Sequence, residues 1–175
     1  EHFLADIHGE YEAFQHVLKN ASGNIRRKVH ELFGDTLRAK EERERCTLIY
    51  YPEKKLELVK QAESDIIDWY NINIHHLVDV CRDVSSKYTR SKVRKSLPVD
   101  FSYIIQELLH EHSEDKDKAD YVSAIIKTII STGRADDFII ALCGVIQRLS
   151  IDQLHILGDV YDRGPGAHIV MDTLM

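Results

Sequence analysis

Apolar positions through the middle of the chain return every three or four residues, the period of helices that each bury one face. Ile67, Tyr70, Ile74, Leu77, Cys81 and Val84 make one such row, with Ser64 as its expected cap. Phe101, Ile104, Ile105, Leu108 and Leu109 make another after Pro98, capped by Asp100. Residues 121–131 predict a third helix with Gly133 as its stop, and Phe138, Leu142, Ile146 and Leu149 mark a fourth over 136–149. Residues 25–46 are charge-rich, with Ile25, Val29, Leu32 and Phe33 as their apolar face. Residues 47–51 (Thr-Leu-Ile-Tyr-Tyr) predict a short strand stopped by Pro52.

The two ends follow another pattern. Phe3 and Leu4 run into Asp6-Ile7-His8-Gly9-Glu10, and residues 11–20 then place Phe14, Val17 and Leu18 on one helical face before a break at 20–24. Residues 154–157 predict a short buried strand leading into Gly158-Asp159-Val160-Tyr161-Asp162-Arg163-Gly164-Pro165, with a helix from about Ala167. Each end therefore reads strand, loop, helix. The expected architecture is an α/β layer formed by 1–24 and 151–175, interrupted by a mainly α-helical inserted domain at 25–150. Glu1 in place of a starting Met, and a last helix with no stop signal, lead us to expect a piece of a longer chain.

Composition narrows the function classes. The chain has 175 residues, 43% apolar and 30% charged, which suits a globular protein with a real core. A formal charge of −6 speaks against a general nucleic-acid binder. It leaves an anionic substrate open, because bound divalent metals reverse the local sign. Cys46, Cys81 and Cys143 stand apart with no CxxC pair and are expected to be buried thiols of a reducing cytoplasm. No apolar run has transmembrane length and no signal-peptide pattern opens the chain, so we expect a cytoplasmic protein without a membrane partner.

The chemistry sits in the loops after the two outer strands, where α/β folds place ligands. Residues two apart on a strand share a side, so Asp6 and His8 can converge on one ion, and a carboxylate with an imidazole suits Mn, Fe or Zn. Asp159 can bridge two metals with its two oxygens. Asp162 is better placed to orient a ligand than to be one. Arg163 offers a planar fork of donors for phosphate oxygens, and Gly164 with Pro165 shapes the turn into the last helix. The bland alternative is a charged turn holding a structural Asp–Arg pair.

Together, Asp6-Ile7-His8-Gly9 and Gly158-Asp159-Val160-Tyr161-Asp162-Arg163-Gly164 resemble the first two signature motifs of calcineurin-like phosphoesterases. The segments 6–14, 20–29, 85–95 and 157–165 further resemble the large bacterial (class III) fructose-1,6-bisphosphatases, so the likeness covers essentially the whole chain, insertion included. The resemblance implies a metallophosphoesterase-type layer and a phosphoric monoester hydrolase of carbohydrate metabolism. Its reaction would be gluconeogenic, fructose 1,6-bisphosphate to fructose 6-phosphate and phosphate, at a binuclear manganese (Mn2+) site. In that family's terms Asp6 and His8 hold the first metal, Asp159 bridges to the second, Arg163 binds substrate phosphate and Asp162 supports catalysis. The Asn-His motif and later histidines that complete such a site are missing after Asp159. The chain alone is therefore expected to be inactive.

Other polar residues lie outside this pair of motifs. Between 82 and 95 six basic residues face one acid, and Arg90, Lys92 and Arg94 form a candidate anion site for a nucleotide or phosphate-bearing effector. His75, His76, His110 and His112 read as ordinary histidines, Trp69 as core, and residues 41–45 as a solvated helix face. Two further readings compete with the sugar bisphosphatase. One is a phosphoesterase acting on a phosphoprotein or dinucleoside polyphosphate. The other is a helical regulatory or assembly module, a homo-oligomer among its forms, with vestigial catalytic ends.

Overall fold

The computed structural model describes residues 1–110 and 116–175. Its one sheet among these residues is a parallel pair, β1 (His2–Leu4) and β2 (Leu154–Ile156), with His2 opposite Leu154, Phe3 opposite His155 and Leu4 opposite Ile156. Helix α1 (Tyr11–Asn20) follows β1 and α10 (Ala167–Leu174) follows β2. Between them lie α2 (Asn24–Phe33), α3 (Ala39–Tyr50), α4 (Pro52–Ala62), α5 (Ile66–Ser85), α6 (Arg90–Ser96), a 3-10 turn (Val99–Phe101), α7 (Ser102–His110), α8 (Lys116–Ser131) and α9 (Ala135–Ser150). The structure is thus mainly helical with a small parallel sheet.

The apolar side chains form two separate clusters. The large one is built around α5 and α9, where Ile74, Leu77 and Cys81 meet Phe138, Leu142 and Ile146. At 20 residues α5 is about 30 Å long, enough to run the length of a small domain. All three cysteines are buried and free. The small cluster has Ile7, Phe14 and Val170 at its centre, with Leu4, Leu154 and Ile156 packed on it from the strands. Alternate strand residues face the other way. Phe3 is 60% exposed and stacks on His155 at 4.7 Å, so one face of the sheet is bare. The helical module leaves and returns at adjacent points, for Asn24 Nδ2 donates to Ser150 O at 3.4 Å.

Several local expectations need correction. Residues 47–51 are not a strand: 47–50 are the last turn of α3, and Tyr51 is the hinge into α4. Leu48 and Ile49 are buried against α9, and Thr47 Oγ1 donates back to Arg43 O at 2.9 Å, which satisfies the hydroxyl inside a helix. Burial overrides the strand preference of these β-branched and aromatic residues. Pro52 then occupies the first turn of α4, where its missing N–H costs nothing. The stretch 25–46 is broken after Phe33, and Glu41 accepts from the Arg38 amide at 2.7 Å to start α3. Leu32 lies off the buried face, 39% exposed. Asp65, not Ser64, caps α5 by accepting from Asp68 N at 3.0 Å. Asp100 lies within the 3-10 turn rather than capping α7.

Candidate metal and phosphate site

The first motif begins where β1 stops pairing. Ile7 is buried in the small cluster and pins the loop, while Asp6 on one side of it is exposed and His8 on the other is partly buried. The convergence of Asp6 and His8 does not come from strand alternation, because β1 ends at Leu4. It comes from left-handed backbone: φ is 55° at Asp6 and 49° at His8, with Gly9 at 70°. In that arrangement His8 Nε2 lies 3.6 Å from Asp6 Oδ1.

The second motif repeats the device. Gly158 has φ 129° and Asp159 φ 50°. All three sequence-predicted metal ligands thus sit in a conformation that costs a non-glycine residue on the order of 1–3 kcal/mol and persists only where the surroundings enforce it. The enforcing contacts are visible. His8 N donates to Asp159 O at 2.7 Å, Gly164 N donates to His8 O, and Gly166 N donates to Gly9 O at 3.0 Å. The two loops, 154 positions apart at His8 and Asp162, are clasped backbone to backbone.

The side chains continue the clasp. His8 Nδ1 hydrogen-bonds Asp162 Oδ1, and this bond, reinforced by the His8 and Arg163 charges, holds the Asp162 carboxyl below the usual carboxylate range. A carboxylate on one imidazole nitrogen fixes the ring and leaves the other nitrogen free, the usual support of a metal-bound histidine. Here the free nitrogen is Nε2, the one facing Asp6. Arg163 is largely exposed, with Nε 3.8 Å from Asp162 Oδ2, so its fork is open to an anion while its stem stays near the pair.

Asp159 meets this group through its backbone carbonyl. Among the described residues no three His, Cys, Asp or Glu side chains stand together closely enough to hold a metal ion. The structure therefore gathers Asp6, His8, Asp162 and Arg163 into one corner and leaves the Asp159 carboxylate outside any three-donor cluster. An imidazole nitrogen and a carboxylate oxygen facing each other fit one side of a transition-metal site.

The family follows from comparison of the whole chain. The family model described as Firmicute fructose-1,6-bisphosphatase matches residues 1–175. The chain belongs to this family. A relative from Bacteroides thetaiotaomicron named fructose-1,6-bisphosphatase class 3 is 71% identical over 99% of the chain and 26% of its own length. Relatives with that class name from Porphyromonas gingivalis and Clostridium beijerinckii are 66% and 63% identical over 100% of the chain and 27% and 26% of theirs. The chain thus spans about a quarter of the length of the curated relatives it matches. No solved structure matches it.

The remaining candidates in this fructose-1,6-bisphosphatase family chain lie on the helical module. Lys92 is paired with Asp152 and lies 4.3 Å over the Tyr88 ring, so of the three proposed anion ligands it is already engaged. Arg90 and Arg94 are exposed on α6. His75 bonds to Asn71 O at 2.8 Å, and His76 pairs with the buried Arg45 and packs against Phe33 at 4.8 Å, both structural roles. Trp69 packs half-buried against the large cluster. His110 ends α7, whereas His112 and its acidic neighbours lie outside the described residues. Gly166 escaped the motif reading, although Gly164-Pro165-Gly166 was visible as two small residues flanking a turn-former.

Proposed function

We propose that this chain supplies the first metal ligands and the phosphate-binding arginine of a metal-dependent fructose 1,6-bisphosphatase. That enzyme releases fructose 6-phosphate and inorganic phosphate. One observation carries the reading: His8 is held by Asp162 on Nδ1 and faces Asp6 with Nε2, in a loop clasped to Asp159 from the far end of the chain. Family membership supplies the substrate class, through relatives whose name is fructose-1,6-bisphosphatase class 3.

Asp6 and His8 would hold the first metal, and Asp159 would reach a second once its carboxylate turns inward; manganese is the ion we favour. Bound there, two such ions would acidify a water and neutralise phosphoryl oxygens. The chain's own residues do the rest. Asp162 keeps His8 in one ring orientation, and Arg163 offers paired N–H donors to the phosphate from an exposed position. The left-handed loop and the Asp162 bond keep the His8 ring in place before substrate arrives, so little reorganisation of that group is needed during reaction. The bare face of the sheet, with Phe3 and His155 uncovered, fits a metallophosphoesterase-type layer that extends further, because parallel sheets are as a rule covered on both faces.

The test is phosphate release from fructose 1,6-bisphosphate with Mn2+ by a polypeptide of the relatives' full length carrying these residues. Asp6→Ala and His8→Ala should each lower the rate by more than the roughly 10–100-fold expected for loss of an outer supporting group. Full activity in both variants would refute the assignment.

A further inference from the structure

Gly166 is not a glycine for the sake of backbone freedom. Its φ of −97° and ψ of 12° are open to any residue. What it lacks is space. A Cβ there would sit 2.8 Å from Gly9 O and 2.8 Å from Tyr11 Cβ, contacts that no rotamer can relieve because the neighbours are backbone and the root of a side chain. Gly164 is tighter still, with a Cβ 2.6 Å from Gly9 C and O and 2.8 Å from His8 O. Gly9 returns the contact, its Cβ falling 2.5 Å from Gly164 O. Three glycines therefore let the turn after Arg163 lie directly on the backbone of the first motif.

We infer that Gly166 is a positioning residue for His8, seating the first turn of α10 on Gly9 so that the left-handed His8 stays aimed between Asp6 and Asp162. Three observations support this inference, which rests on the proposed function only for its consequence. Gly166 N holds Gly9 O, the carbonyl next in chain to His8. Gly166 O accepts from Val170 N, and Val170 is fully buried with Ile7 and Phe14, so the helix that Gly166 opens is fastened in the small cluster. Both backbone polar groups of His8 are taken by the same loop, its N by Asp159 O and its O by Gly164 N. A side chain at 166 pushes this whole turn away from Gly9. The displacement reaches Asp162, four residues earlier on the same turn, and through it the His8 ring.

The experiment compares wild type, Gly166→Ala and a control, Gly144→Ala, in the 175-residue chain. Gly144 lies within α9 with open space around its Cα. Without metal, the His8 ring nitrogen resonances should move in Gly166→Ala and stay in place in Gly144→Ala, while Gly166→Ala keeps the wild-type helical melting curve and Gly144→Ala melts no lower, alanine being favoured over glycine inside a helix. In a polypeptide of the relatives' full length, Mn2+ affinity, followed by the loss of the free-ion EPR signal, should fall at least about tenfold in Gly166→Ala, as for other groups that orient a metal ligand. Unmoved His8 resonances, or a melting curve lowered only in Gly166→Ala, would overturn the inference and leave the proposed function standing. Absence of Mn2+ binding in a wild-type polypeptide of the relatives' full length would sink the proposed function, while the metal-free resonances still decide the role of Gly166.

Discussion

Asp162 shows how one residue can set another's chemistry. Its carboxylate takes His8 Nδ1, which selects the ring tautomer and leaves Nε2 toward Asp6. Asp162→Asn can still accept at that nitrogen but loses the charge, and Mn2+ affinity should fall about 10–100-fold by calorimetric titration. A second residue-scale prediction concerns His76. Burial, then the Arg45 guanidinium and His75, push its imidazole down to about 4 from an ordinary 6.5, and Arg45 donates to its Nδ1, which only the neutral ring accepts. The unfolded chain therefore binds this proton at a higher pH than the folded one. Stability from this group is complete above about 6.5 and is lost as pH falls toward about 4. Melting temperatures between pH 7 and pH 4.5 should decline less steeply in His76→Asn than in wild type. Asp6, His8, Asp159, Asp162 and Arg163 stood out as candidates in the sequence because each side chain carries recognisable chemistry, and the structure brings four of them together while Asp159 joins through its backbone carbonyl. The sequence concealed Gly166, whose role is the absence of a side chain, and the left-handed turns at Asp6, His8 and Asp159, which depend on contacts from the other loop.

Elements were legible where one force set them. The rows that became α5 and α9 were clear from apolar spacing alone, because each helix buries one continuous face on the other. Phe138 is fully buried at that contact and meets Phe101 edge to face at 5.3 Å. Phe138→Ala should cost about 3–5 kcal/mol, read as a lower urea midpoint. Residues 47–50 went the other way. Thr, Ile and Tyr favour strands, yet α1, α2, α4 and α9 all pack around α3, and a helix buries Leu48 and Ile49 together. No strand partner was available to reward the local preference. Caps slipped by a residue or two, as at Asp65, because neighbouring polar residues compete for the same amide. The outer strands, three residues each, were legible from short apolar runs ahead of the motifs, although β2 is half-buried rather than buried and stops before the exposed Leu157.

For the whole molecule, the change of period at each end led us to expect a layer and an inserted module; the structure shows a small parallel sheet, a mainly helical remainder and two separate apolar clusters. The larger cluster closes on itself. Residues 21–151 prepared alone should therefore keep a cooperative helical melt, measured by circular dichroism, without β1, β2 or the metal corner. The small cluster centres on only three buried side chains and has no comparable reserve. What the sequence could not show was how near the module's two ends lie. Asn24 touching Ser150 means that the polypeptide leaves the layer and re-enters it through a single doorway. The distance along the chain between the two ligand loops is thus decoupled from their distance in space. An insertion or deletion inside the module can be absorbed without moving His8 relative to Asp162, provided the doorway residues and the faces of α3 and α9 that meet α1 are kept. That freedom makes the module a cassette in length: a reporter or an unrelated domain whose ends lie equally close, and which offers α1 an equivalent face, could be spliced in its place while the loops are held in register.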